Sequence, residues 1–378
     1  MVILFLYIIK LKEESCLFLF PQKKKKKKME KYGNGEQVYC VTGANGYIGS
    51  CLVKLLLQNG YTVHATIRNP EKWSQLLSLW DGGKKLRVFK ADLEEEGSFD
   101  EAVKGCHGVF HVAASMEFST IDNPDFEYVE SKIIEPAKKG TLNLMKSCSK
   151  YKVKKVVFTS SISTLTAKDT SGKWRKVVDE TCQNPIAHVL NAKPKPSGWV
   201  YVVSKLVTEE AALDYGKQNG IDVVSVITTT VGGSFLTSSV PASIQVILSP
   251  LTGDSKYLSI LAAVNSRMGS IALVHIEDIC NVHLFLMNHP QAHGRFICSS
   301  GSCLITDLLN HLKQHYPISN PNPIHRYATG GLNSIPCEIS SKRLKDLGFK
   351  YKHDINHIIH QTIACSLDYG FLSSSPLN

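Results

Sequence analysis

Seven residues constrain this chain more than any others: Gly43-Ala44-Asn45-Gly46-Tyr47-Ile48-Gly49, set between an apolar stretch and an amphipathic one. Gln37 to Thr42 reads as a short buried strand, and Ile48, Leu52, Leu55 and Leu56 then recur at helical spacing until Asn59-Gly60 closes the helix. Glycines at such a junction allow a tight turn, close approach of the backbone to a pyrophosphate, and close packing of helix on strand. The helix N-terminus adds N–H groups and a partial positive charge. Glycine spacing alone is a weak signal, but the strand before and the helix after point to a dinucleotide site. Its candidate contacts are Gly43, Asn45, Gly46, Tyr47, Ile48 and Gly49.

The same β–α alternation continues. Strands are expected over 61–67, 86–89, 109–112, 153–159 and 222–227, with helical segments over 129–150 and 200–217. Alternation of this kind predicts an α/β, Rossmann-type doubly wound parallel sheet covered on both faces. Beyond about Gly233 the alternation loosens and short helices predominate, as expected of a smaller, interleaved substrate lobe over the carboxyl edge of the sheet. The expected division is an NADP-binding domain over 29–235, rejoined by elements near 271–300, and a mainly substrate-binding lobe over 236–378.

A formal net charge of +10 over 378 residues suggests a polyanionic partner, until its placement is read. Lys10, Lys12 and the run from Lys23 to Lys28 face only Glu13 and Glu14 before Met29, so most of the excess lies in a short tail. Residues 1–28 are expected to be a disordered extension or a start-site artefact. Charges interrupt their apolar stretches, so no stable membrane insertion is expected, and no nucleic-acid role is assigned. The eleven cysteines are odd in number, form no CxxC and recur in apolar patterns. They read as reduced core thiols of a cytoplasmic protein, expected to be a monomer acting on a small aromatic molecule.

The end of the second strand selects the dinucleotide. An acid there would bind a ribose 2′-hydroxyl, whereas this chain has Arg68, whose planar fork suits the 2′-phosphate of NADP. Asp92-Leu93, after the third strand, either meets the adenine or caps a turn. Three Tyr-x-x-x-Lys pairs occur, at Tyr128/Lys132, Tyr151/Lys155 and Tyr201/Lys205. Only Tyr201 follows the strand ending in Thr159-Ser160-Ser161 and opens a helix, which puts Lys205 one turn on and on the same face. An ammonium beside a phenol favours the phenolate, making Tyr201 a candidate proton donor to a carbonyl oxygen. Ser161 is the candidate hydrogen-bond donor to that oxygen. Met116 and Phe118, after the fourth strand, are candidate pocket walls.

Taken together, VTGANGYIGS (41–50), TIRNP (66–70), the stretch 91–113, VVFTSS (156–161), YVVSK (201–205), NGIDVVSVI (219–227), VHIEDICNVH (274–283), GRFICSS (294–300) and LGFKYK (347–352) resemble the extended short-chain dehydrogenase/reductase family. The resemblance is to its plant branch of dihydroflavonol 4-reductase, anthocyanidin reductase and vestitone reductase type, and it runs from Val38 to about Leu372. It implies a Ser161–Tyr201–Lys205 triad, with Lys205 also on the nicotinamide ribose, and NADPH/NADP+ as cofactor. It further implies that Val112, Ala113, Thr228 and Val231 lie beside that cofactor. Several positions depart from the family pattern. His111-Val112-Ala113-Ala114-Ser115 replaces HVATP, and Thr228-Thr229-Thr230-Val231-Gly232-Gly233-Ser234 lacks both prolines of PxxVxGP. Thr166 stands where an Asn usually meets the substrate's ring hydroxyls, and Gln75 where a second basic residue would hold the 2′-phosphate, leaving Lys72 as its substitute.

The implied activity is NADPH-dependent reduction of a bulky aromatic ketone. A dehydrogenase acting on an alcohol or hemiacetal and a non-catalytic cofactor-binding regulator use the same residues and are the alternatives. His353, His357 and His360 share a helical face, but without further ligands no metal site is expected. His275 reads as a core or capping residue, and Leu284 to Met287 as core.

Overall fold

The computed structural model describes residues 37–69, 83–114, 126–169, 171–316 and 337–373. Residues 1–28, Lys72, Gln75, Met116 and Phe118 lie outside them. In chain order the elements are β1 (Val38–Thr42), α1 (Tyr47–Gln58), β2 (Thr62–Ile67), β3 (Leu86–Lys90), β4 (Gly108–His111), α2 (Glu135–Lys150), β5 (Lys155–Ser161), β6 (Val177–Val178), α3 (Trp199–Asn219), β7 (Asp222–Thr228) and β8 (Thr230–Gly232). They continue with α4 (Ala242–Thr252), α5 (Ser255–Met268), β9 (Ile271–His275), α6 (Ile276–Asn288), β10 (Gly294–Cys298), β11 (Gly301–Cys303), α7 (Ile305–His315), β12 (Glu338–Ile339) and α8 (Ile355–Asp368). Shorter helical turns, among them Asp100–Val103 and Lys342–Asp346, go unlabelled.

Seven strands form one sheet in the order β10-β7-β5-β4-β1-β2-β3, and every pairing in it is parallel. Strands buried on both faces read as continuous apolar runs, as Val156-Val157-Phe158 and Val223-Val224 do. One face is covered by α1 and α6, whose Leu52, Leu56, Ile279 and Leu286 share a core with Val41 and Phe110. The opposite face packs Leu144 and Met145 of α2 against Val109, Val156 and Phe158. The strand order reverses between β1 and β4, and in sheets of this kind ligands settle outside the carboxyl ends at that point.

The region after Gly233 differs from the expected set of short helices. Its labelled helices run to eleven residues or more, and a second sheet, β11-β9-β8, packs with them. This sheet and α4, α7 and α8 enclose their own core, built on Ile244, Leu273, Leu308 and Ile359. β10 returns to the main sheet beside β7. The expected helical segment over 129–150 is continuous from Phe126, with one wider, π-type turn over Glu130–Ile134 leading into α2. The ten described cysteines are all buried, and no disulfide joins any two of them. Among the described residues no helix is long and apolar enough to cross a membrane.

Candidate active site

The glycine turn is built almost wholly from main chain. Gly43 has φ +64°, a left-handed conformation that other residues adopt at a cost, and its carbonyl accepts the Gly46 N–H at 3.0 Å. A Cβ on Gly43 would stand 2.8 Å from Ala113 Cα, and one on Gly49 2.2 Å from the Gly43 oxygen. Neither position has room for a side chain. Helix α1 then starts at an N-cap, Gly46, that contributes no side-chain acceptor. Its first N–H groups face outward for an anion to accept. Such a cradle fits a pyrophosphate.

Side chains enter this turn only from its margins. Asn45 is exposed, Ile48 packs into the core, and the Tyr47 hydroxyl donates to the Gly233 carbonyl at 3.3 Å. Thr42 was not singled out by sequence reasoning, yet it closes the turn against β4. Its hydroxyl accepts the N–H groups of Val112 (3.1 Å) and Ala113 (3.0 Å) and lies 3.0 Å from His111 Nδ1. With both acceptor positions taken, the Thr42 proton goes to that nitrogen. Burial, and then the Lys205 ammonium, pull His111 down to about 3, so its ring is neutral.

Arg68 is exposed and directly follows β2. Asp92 braces its own loop: one carboxylate oxygen accepts the Glu94 N–H at 3.1 Å and its carbonyl accepts the Ser98 hydroxyl at 2.7 Å. Leu93 beside it lines a cleft shared with Ala113, Ala114, Phe158 and Lys205.

Lys205 brings that cleft to the second group of residues. Ser161 is the last residue of β5, two further on than the expected strand end. It is nearly buried, and its Oγ accepts the Ser163 N–H at 3.2 Å, which leaves its own proton to donate. Tyr201 sits in the first turn of α3, and Lys205 follows one turn later. The Lys205 ammonium lies 6.0 Å from the Tyr201 ring centroid and 5.9 Å from that of Phe158. It donates to the Thr159 carbonyl at 3.1 Å. The Thr159 hydroxyl in turn lies 2.8 Å from His283 Nε2, and His283 Nδ1 lies 2.7 Å from the Ile279 carbonyl. A carbonyl only accepts, so Nδ1 carries the proton and Nε2 receives the Thr159 hydroxyl. A buried chain of bonds thus runs from α6 through β5 to Lys205.

Geometry also separates the three Tyr-Lys pairs. Tyr128 is exposed, and Tyr151 caps the end of α2 while Lys155 donates to the carbonyls of His289 and Ala292. Thr228 pairs with Ser161 across β5 and β7 and donates to the Thr229 carbonyl at 3.0 Å. Val231 buries its side chain in the core, so only its main chain remains for a ligand. Thr166 is half-buried, and its hydroxyl accepts the Lys168 N–H at 3.2 Å.

The expected histidine face is replaced by another grouping. Asp354 caps α8, which leaves His353 outside the helix, and His360 turns to His315 instead, with ring centroids 5.2 Å apart. Ring nitrogens of His275, His353 and His357 lie within 4.8 Å of one another. Both nitrogens of His275 are engaged: Nδ1 accepts the Glu277 N–H at 3.2 Å and Nε2 meets Gln361 Oε1 at 2.8 Å. His275 is therefore a capping residue with no lone pair open to a metal.

Comparison with known proteins agrees with this architecture. Residues 39–297 match the NAD dependent epimerase/dehydratase family. A Ginkgo biloba protein assigned as an anthocyanidin reductase is 41% identical over 342 residues, covering 88% of this chain and 95% of its own. Dihydroflavonol 4-reductase from Arabidopsis thaliana is 39% identical over 344 residues, covering 90% and 85%. Among solved structures, vestitone reductase from alfalfa superposes with a TM-score of 0.71 at 30% identity, covering 89% of this chain and 99% of that one. The chain belongs to the NAD dependent epimerase/dehydratase family and is, like these relatives, an oxidoreductase.

Proposed function

We propose that the protein is an NADPH-dependent reductase of a bulky, flavonoid-like aromatic ketone. The observation that carries this reading is the placement of Ser161 at the end of β5 and of Tyr201 and Lys205 in the first turns of α3, with Lys205 lining one cleft with Ala113, the residue packed against Gly43 of the glycine turn. The relatives' names support the substrate class.

In this reading the N–H groups opening α1 hold the pyrophosphate, Arg68 meets the 2′-phosphate, and Ala113, Thr228 and the main chain at Val231 border the nicotinamide. NADPH, when bound, supplies the hydride. Ser161 donates a hydrogen bond to the substrate's carbonyl oxygen and stabilises the charge that develops there. Tyr201 delivers its phenolic proton to the same oxygen, so that C=O becomes CH–OH. Lys205, held by the Thr159 carbonyl, compensates the phenolate left on Tyr201.

Tyr201→Phe tests the reading. It removes one hydroxyl and is expected to lower kcat by about 10³ while leaving NADPH affinity within twofold. Turnover of flavonoid ketones with NADPH is read by mass-resolved product analysis, in both directions. Undiminished turnover by Tyr201→Phe would refute the mechanism.

A further inference from the structure

The three side chains assigned to the reaction come from separate elements, β5 and α3, and one half-buried arginine ties those elements together. Arg295 lies on β10, beyond β7 from the site. Its guanidinium forks onto Glu209, with Nε 3.2 Å from Oε1 and Nη2 3.1 Å from Oε2. Glu209 is on α3, one turn after Lys205, and its side chain is 3% exposed. Nη2 also donates to the Thr164 hydroxyl at 3.2 Å, and that hydroxyl donates onward to the Ser161 carbonyl at 2.9 Å. Nη1 donates to the Glu180 carbonyl at 2.7 Å, and Glu209 Oε1 also accepts the Ser225 hydroxyl from β7.

Every group in this array has a partner, which is the condition under which a buried ion pair is tolerated. Replacing such a pair by apolar residues commonly leaves stability little changed, so stability alone is a poor reason for it. What it does supply is a rigid distance between Ser161 and the helix of Tyr201 and Lys205. Two parallel N–H···O bonds fix the guanidinium plane against the carboxylate, which a lysine at the same place would not do.

We propose that Arg295 is a positioning residue which, through Thr164 on one side and Glu209 on the other, sets Ser161 against Tyr201 and Lys205 for the transition state. The inference rests on the reduction proposed above. Misplacing a reacting group by as little as 1 Å can cost a large factor in rate, while ground-state binding is barely affected.

Thr164→Val removes the hydroxyl link to Ser161 but keeps the Arg295–Glu209 fork. We expect kcat to fall about tenfold, with KM for the ketone and the Kd for NADPH (read by its fluorescence) within about twofold of the parent. Thr164→Ser restores the hydroxyl and should restore kcat. The defect should shrink on an electron-poor ketone, whose oxygen needs less help from Ser161; a purely structural fault would slow both ketones equally. Arg295→Lys is expected to give the same pattern and serves if Thr164→Val does not fold. An unchanged kcat in Thr164→Val, alongside an inactive Ser161→Ala, would overturn the positioning role and leave the reduction standing. So would a loss of kcat that is equal on both ketones and accompanied by weaker NADPH binding. Full activity of Ser161→Ala would instead overturn the reduction on which the clamp depends.

Discussion

At the glycine turn the chemistry depends on atoms that are missing, whereas at the end of β5 it depends on polar side chains that distant residues align. Gly43 and Gly49 leave no space for a Cβ, and the turn's ligands are main-chain N–H groups. Ser161 and Lys205 are instead held, directly or through one another, by Thr159, Thr164, His283 and Arg295, contributed from β5, the turn after it, α6 and β10. A site made of backbone is written in consecutive residues. A site made of side chains is written wherever the fold can deliver a partner.

The comparison can be broken first at the turn. Gly49→Ala puts a methyl 2.2 Å from the Gly43 oxygen, too close for any rearrangement confined to one side chain. We expect NADPH affinity to drop by about 100-fold or more, or the chain to fail to fold, as a backbone displacement there demands; near-normal binding by titration would remove the steric argument. Ser161→Ala attacks the other half. Losing one donor to a developing oxyanion should cost about 10² to 10³ in kcat with NADPH affinity retained, and a parallel loss of both would merge the two halves into one. Arg68→Gln sharpens the margin of the turn. Its effect should be confined to the choice of cofactor, a fall of about tenfold in the preference for NADPH over NADH, with kcat on saturating NADPH unchanged.

The smallest effect concerns stability and separates the halves by pH. Burial holds His283, behind Lys205, at about 4 and His111, beneath the turn, at about 3. An unfolded chain takes up protons on these rings below about pH 6.5, and the fold does not. Their contribution is therefore complete above about pH 6.5 and is lost as pH falls from there toward 4. Melting temperatures measured from pH 7 to pH 4.5 should decline steadily, and a flat profile would contradict neutral histidines in the core.

How much of this was legible beforehand follows the same division. The strands, the glycine turn, Arg68 and the Ser161–Tyr201–Lys205 order stand in local patterns of apolar spacing and turn chemistry, and the sheet contains every strand those patterns mark. Thr42, His283, Glu209 and Arg295 left no local mark, because each bonds to residues that are from 70 to 131 positions away in sequence or that lie on another element. For Asp92 and His275 the local bonding shows only through their partners, Glu94 for one and Glu277 and Gln361 for the other. The strands β8 and β11 were not legible because three-residue strands among Ser, Thr and Gly have no period, and the short apolar run of β9 does not distinguish strand from buried helix.

The buried thiols have a consequence for the handling of the molecule. Burial pushes Cys51, Cys106 and Cys303 up to about 12, and an alkylating reagent attacks only a thiolate it can reach. In the closed fold these groups are chemically silent. Each label acquired in native buffer therefore dates a moment when the surrounding core came apart, and the residue that carries it names the core that opened. The ten described cysteines are distributed among the cores of the main sheet and the C-terminal region, so the chain carries its own set of clocks for how independently those cores breathe.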